Sequence, residues 1–465
     1  MNQMQSTIKL NPESSTLFLS LHSKLPTMAV STSHYSPLQD RCYNPDTQPE
    51  TPTLPLHFSL RRIELFLRFL GFIHDSRFSL SLSSLSFLFF GVGAPSLVII
   101  FFYCGSSDVA ACRKYHVKSF ELETLFFQAT AAAVSLLCFL RSFRKYGLRI
   151  FLFVDKYHEI GDEFHFEYIP KINDFFRSLA VWVLPCVILK MAREVVRVIY
   201  VHNDSLVQSM MVVCVLLVSW TYTATVYLTG STLFSLVCSL QVIHFENYKK
   251  LLERNLDVLV YIEEHSRLTF NLSKISHRFR IFLILEFLIV TASQVVTLLE
   301  TTGNSGTINF INAADFAISS IVQVVGIIIC LHAAAKISHR AESLASFASR
   351  WHALLTCHSN ETLRASENGG NFNFAGSAIA SMNYPESDME SVDYMLPSMN
   401  VELNPKVSSY LKRQAFVMYM QANPGGVTIF GWTVNRAFMD TIFCVELTMV
   451  TFVLGKTLTF TTNNT

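Results

Sequence analysis

The chain has 465 residues, 51% of them hydrophobic and only 15% charged, with a mean hydropathy of +0.35. A soluble domain carries about 25% charged residues, so this balance excludes an ordinary soluble globule and points to a polytopic membrane protein, while a net charge of +1 gives no basis for binding nucleic acid. The ten cysteines stand singly, and no Walker A, G-x-G-x-x-G, H-E-x-x-H or G-x-S-x-G motif occurs, so no zinc site, cofactor or enzymatic activity is expected.

Residues 1–60 are rich in Ser, Thr and Pro and read as a disordered tail. They lack a signal-peptide core, although their few acids leave a transit peptide open. Beyond them, apolar runs long enough to cross a bilayer core of roughly 30 Å lie near 80–104, 122–140, 174–192, 206–228, 279–300, 308–335 and 437–460, which makes seven. The fold class is all-α. The stretch 206–243 contains no Lys, Arg, Asp or Glu. Splitting it at Gly230 would leave a second piece too short to cross, so it reads as one helix that crosses and continues into water.

From residue 61 onward, Lys and Arg outside these runs divide 24 to 5 between alternate connections. By the positive-inside rule the amino terminus is cytoplasmic and the carboxyl terminus outside. The protein is therefore expected to be integral and multi-pass, in the plasma membrane or an endomembrane.

The cytoplasmic stretches are long. Residues 244–278 alternate charge with Leu and Ile at helical spacing and read as an amphipathic helix, and 336–356 extends the sixth span. Residues 61–356 thus hold six spans with their extensions, and 357–404 is a low-complexity linker. A helix over 405–422, opened by Asn404-Pro405 and closed by Asn-Pro-Gly-Gly, precedes the last span within 405–465. Its apolar stripe is Val407, Leu411, Ala415 and Met418.

The pentapeptide KISHR occurs at 274–278 and again at 336–340, entering span five and leaving span six. Two readings stay open. The copies are basic stop signals that match by chance, or His277, Arg278, His339 and Arg340 form a cytoplasmic boundary cluster that couples the helices or meets lipid head groups.

Four blocks carry a family resemblance: "RSFRKYGLRIFLFVDKYHEI", "KISHRFRIFLILEFLIVTASQVVTLLETT", "ICLHAAAKISHRAESLASFASRWHALLTC" and "YLKRQAFVMYMQANPGGVTIFGWTVNRAFMDTIFCVELTMVTFVLGKTL". They resemble a plant family of membrane proteins with a domain-of-unknown-function label, itself similar to insect gustatory and odorant receptors. The resemblance covers about 80–460. It implies a ligand-gated channel of four subunits, each with seven helices and an internal amino terminus. It also implies a pore lined by the last helix, an anchor of cytoplasmic helices, an unknown small-molecule ligand, and permeant ions and membrane lipids as partners. The alternative is a non-channel membrane scaffold or signalling protein acting through its cytoplasmic helices. The insect Gln-Phe near the end of the last helix is replaced here, with Lys456 at the polar position. A ring of lysines favours anions, so weak cation selectivity or anion permeation is expected.

Within the last span Ile442, Glu446, Met449, Val453, Lys456 and Phe460 recur at spacings of four and three, which is one helix face. They read as pore-lining, or else Glu446 bonds a neighbouring helix and Lys456 snorkels to the interface. Gln128, Trp220, Tyr222, Gln294 and Asp315 are aromatic or polar residues inside spans. They read as a ligand pocket or as interhelical hydrogen bonds. Asn203 begins an N-x-S glycosylation acceptor in the outer loop between spans three and four, and Cys104 and Cys112, both on the outer side, could form a disulfide.

Overall fold

The structure, a computed structural model, describes residues 54–74, 76–101, 118–152, 163–200, 206–254, 257–303, 310–367, 405–429 and 431–463. They belong to one compact unit, Thr51–Thr465. The elements run in the order α1 (Leu54–Leu70), α2 (Arg77–Leu88), a π-helical turn (Phe89–Gly93), α3 (Ala94–Phe101), α4 (Lys118–Phe151), α5 (Glu163–Tyr200), α6 (Leu206–Leu252), α7 (Val258–Gly303), α8 (Phe310–Glu367) and α9 (Pro405–Ala422). A two-stranded hairpin, β1 (Thr428–Ile429) and β2 (Trp432–Thr433), then leads into α10 (Arg436–Asn463).

The helix α6 is the shaft of the molecule. Its 47 residues span about 70 Å at 1.5 Å per residue, more than twice a bilayer core. A helix that is apolar all round must be buried, and α6 is packed by α3, α4, α5, α7 and α8. Gly230 does not break it; an added Cβ there would lie 1.7 Å from Ser135 Oγ, so the glycine lets α4 and α6 approach closely. Gly147, at φ 71, bends α4. Phe151 folds back edge-on to Phe139, Phe143 and Phe279, at 5.9, 4.7 and 5.6 Å between ring centroids.

Five helical stretches are long and apolar enough to cross a membrane: Arg77–Val98, Leu122–Phe151, Met210–Leu252, Val258–Leu299 and Ala314–Cys357. The protein is thus a helical, integral, multi-pass membrane protein. The expected third and seventh spans fall on α5 and α10. Both are long helices of the same bundle, α5 packed on α6 and α8, α10 on α7 and α8, but both carry charges along their length.

Three sequence expectations differ from the structure. The tail expected over 1–60 is helical from Leu54, because Leu56, Leu60, Ile63 and Leu67 form one buried stripe against α5. The amphipathic helix expected over 244–278 is interrupted after Leu252; Tyr248 Oη donates to the Tyr261 carbonyl at 2.9 Å across the corner between α6 and α7. The linker expected from 357 begins later, since α8 runs on to Glu367.

Candidate functional site

At the end of the bundle away from the hairpin, α4, α5, α6 and α8 enclose a cavity of about 40 Å³. Lys190, Arg193, Glu194 and Arg197 stand at i, i+3, i+4 and i+7 on α5 and so face one way. From the opposing α8 comes Asp315. Lys190 Nζ pairs with Asp315 Oδ1 and lies 3.5 Å from Glu194 Oε1. Arg193 pairs with Glu194 and stands 3.9 Å from Asp315, while Arg197 lies 3.7 Å from Glu194. Burying charges costs several kcal/mol per ion unless each is paired, and this network supplies the pairing. Three cationic side chains face two carboxylates, so the wall is weakly electropositive.

The remaining wall is aromatic and neutral. Lys190 Nζ lies 5.8 Å over the Trp220 ring. Trp220 Nε1 donates to Ser319 Oγ at 3.5 Å, and Ser319 Oγ donates to Gln128 Oε1 at 3.4 Å. The Gln128 amide nitrogen is buried and makes no hydrogen bond to the described residues. Ser219 donates to the carbonyl of Phe90, tying the π-helical turn to α6. The space holds one or two waters' worth of volume. A larger guest would have to part the Lys190–Asp315 bridge between α5 and α8.

Three of the five expected pocket residues, Gln128, Trp220 and Asp315, meet here. Tyr222 does not; its ring packs toward Phe87 and Phe90, each 6.2 Å away. Gln294 is buried elsewhere on α7, with neither amide atom bonded. Lys190, Arg193 and Glu194 were missed because charges close to the end of an apolar run read as its boundary. Their one-sided spacing was the available signal.

Of the expected pore stripe, Ile442 lines an internal cavity, and Glu446 and Val453 are buried against the protomer at 1% and 2% exposure. Met449 is half-buried. The side chains of Lys456 and Phe460 lie outside the described residues, as do Asn203, Cys104 and Cys112. Much of α10 stays exposed, Phe443, Val445, Leu447 and Phe452 included; one described stripe carries Thr441, Cys444, Thr448, Thr451 and Gly455. These recur at spacings of three and four, and the three threonine hydroxyls donate back to their own helix at 2.6 to 2.8 Å.

The two KISHR copies occupy matching places on α7 and α8. Ile275 and Ile337 are fully buried. Ser276 Oγ accepts from Thr428 N at 3.2 Å, and Ser338 Oγ accepts from Val427 N at 3.1 Å. Together the serines seat the backbone that joins α9 to α10. Arg278 stacks over Tyr146 at 4.2 Å, and Arg340 reaches Glu246 at 3.4 Å. His277 and His339 are exposed, whereas Arg278 and Arg340 are half-buried.

Comparison with known proteins places these features in a family. The model described as "Protein of unknown function (DUF3537)" matches residues 58–445. A search of the curated proteins gives no match. Among solved structures the chain is similar to the insect olfactory receptor OR5 from Machilis hrabei in complex with eugenol, with 13% identity and a TM-score of 0.50 over 86% of this chain and 99% of that one. At that identity the likeness concerns the fold.

Proposed function

The chain belongs to the DUF3537 family, and we propose that it is a chemoreceptor-like subunit of a tetrameric ligand-gated ion channel. In this reading each subunit crosses the membrane seven times, with its amino terminus in the cytoplasm. The observation that carries the reading is the enclosed polar cavity of Gln128, Lys190, Trp220, Asp315 and Ser319, set in a fold shared with an olfactory receptor along nearly its whole length. A small polar molecule that inserts beside Trp220 competes for the Lys190–Asp315 bridge and so shifts α8 against α5. Because α8 also packs on α10, the shift is passed to the last helix.

The pore in this proposal is lined by the open Thr441, Cys444, Thr448, Thr451 and Gly455 face of α10, next to the buried face that spacing alone selects. Small and hydroxyl-bearing side chains there leave room and polarity for hydrated ions. The native thiol Cys444 is exposed and makes the test simple. Single channels of the purified protein in a planar bilayer should lose unitary current on adding a cationic methanethiosulfonate. The Cys444→Ser variant should keep its current, although Cys214 and Cys357 are exposed too. Current with equal block in both proteins would move the pore off this face. No current at all would favour the scaffold alternative.

A further inference from the structure

A second cavity of about 130 Å³ lies between α6, α7, α8, α10 and the hairpin, and shares no lining residue with the first. Its wall is apolar, with Ile429 of the hairpin and Ile442 of α10 among its members, and aromatic through Tyr227, Phe287 and Phe438. One charged side chain enters it. Glu286 is 3% exposed, and neither carboxylate oxygen has a hydrogen-bond partner among the described residues. The Tyr227 hydroxyl in the same wall is already committed, since its Oη donates to the Gln323 carbonyl at 2.7 Å. Gly326 holds the ring in that place; an added Cβ would lie 2.4 Å from it. A second buried carboxylate, Glu446, likewise has no hydrogen-bond partner among the described residues.

An isolated ionised carboxylate in apolar surroundings is costly, so such a group stays protonated until a cation pairs with it. Here no cation of the described residues pairs with Glu286 or Glu446, yet space is kept beside Glu286. Aromatic faces add attraction for an organic cation. The volume is close to that of an engineered cavity of roughly 150 Å³ that accepts benzene. The geometry points to a binding site for a small alkylammonium, its charged head on Glu286 and a body of about four to six carbons among the isoleucines and rings. Since Ile429 and Ile442 line the same space, occupancy bears directly on the hairpin and the last helix. The site is separate from the Trp220 cavity and does not require that the protein conduct ions.

Isothermal titration of the purified protein in lipid nanodiscs tests it, with isopentylamine, charged at neutral pH, against the isosteric neutral isopentanol. The amine should bind saturably, and the alcohol about tenfold more weakly or not at all, as the loss of a charge-assisted contact implies. Glu286→Gln should abolish that preference, and Ile442→Phe should fill the space and lower amine affinity while leaving the carboxylate in place. Asp315→Asn, in the other cavity, should keep amine binding. Equal affinity for amine and alcohol, no amine binding, or unchanged amine affinity in both folded cavity variants would overturn the assignment.

Discussion

His265 shows how burial sets the charge of a single residue at the junction of α6, α7 and α9. It is 1% exposed, its ring lies 6.0 Å from Tyr248 and 5.5 Å from Tyr419, and Nδ1 is 3.4 Å from Tyr419 Oη. It sits on the early turns of α7, within the long helix Val258–Leu299 but ahead of the span expected from residue 279. Burial holds its pKa down, from 6.5 to about 4, so it is neutral at physiological pH. The folded value is the lower one, so the stabilisation is complete above about 6.5 and is lost as pH falls toward 4, by up to about 3 kcal/mol. The melting temperature of the purified protein should therefore fall across that window. His265→Phe should flatten the fall in part, because His244 is also pushed down to about 4 by burial and remains. An identical pH profile in the variant would show that His265 is not a source. At this scale the sequence was informative where a polar residue interrupts an apolar run, as at Gln128 and Asp315. It was not informative at Lys190, whose burial makes sense only once Asp315 is opposite it.

Whole elements were easier to locate than to orient. Asn404-Pro405 and the Asn-Pro-Gly-Gly turn bound α9 at Pro405 and Ala422, since both signals are local. Which face turns inward depends on neighbours. Phe416, Val417 and Met420 are buried against α7 and α8, whereas Leu411 and Met418 of the expected stripe are 48% and 63% exposed. The helix thus has two apolar faces, and one lacks a cover within the protomer. The same holds for α10, where Glu446 and Val453 face inward while the threonine face stays open. If the open face of α9 meets another subunit, Leu411→Glu places a charge in that contact without touching the protomer's core. The variant should fold, with an unchanged far-ultraviolet circular dichroism spectrum, and run as smaller species on a native gel. An unchanged oligomer would remove α9 from the subunit anchor. The KISHR repeat belongs at this scale too: repetition was visible in the chain, but its use, two serines seating one hairpin, needed α7 and α8 side by side.

For the molecule as a whole, hydropathy and charge made a helical multi-pass membrane protein legible, and the unbroken shaft α6 followed from its long uncharged stretch. The amino-terminal helix was hidden, because its stripe begins within a Ser- and Pro-rich composition and is stabilised by α5, more than a hundred residues away. In the proposed tetramer the subunits meet through surfaces that a single chain leaves open, so spacing alone does not choose the proposed pore face. The central claim is that four copies surround a pore lined by α10. Electron cryomicroscopy of the purified protein in nanodiscs addresses it directly. The account predicts a fourfold particle with α10 at the axis and Thr441, Cys444, Thr448 and Thr451 facing the central opening. A monomer, or an assembly in which that face of α10 meets lipid at the periphery, would contradict it.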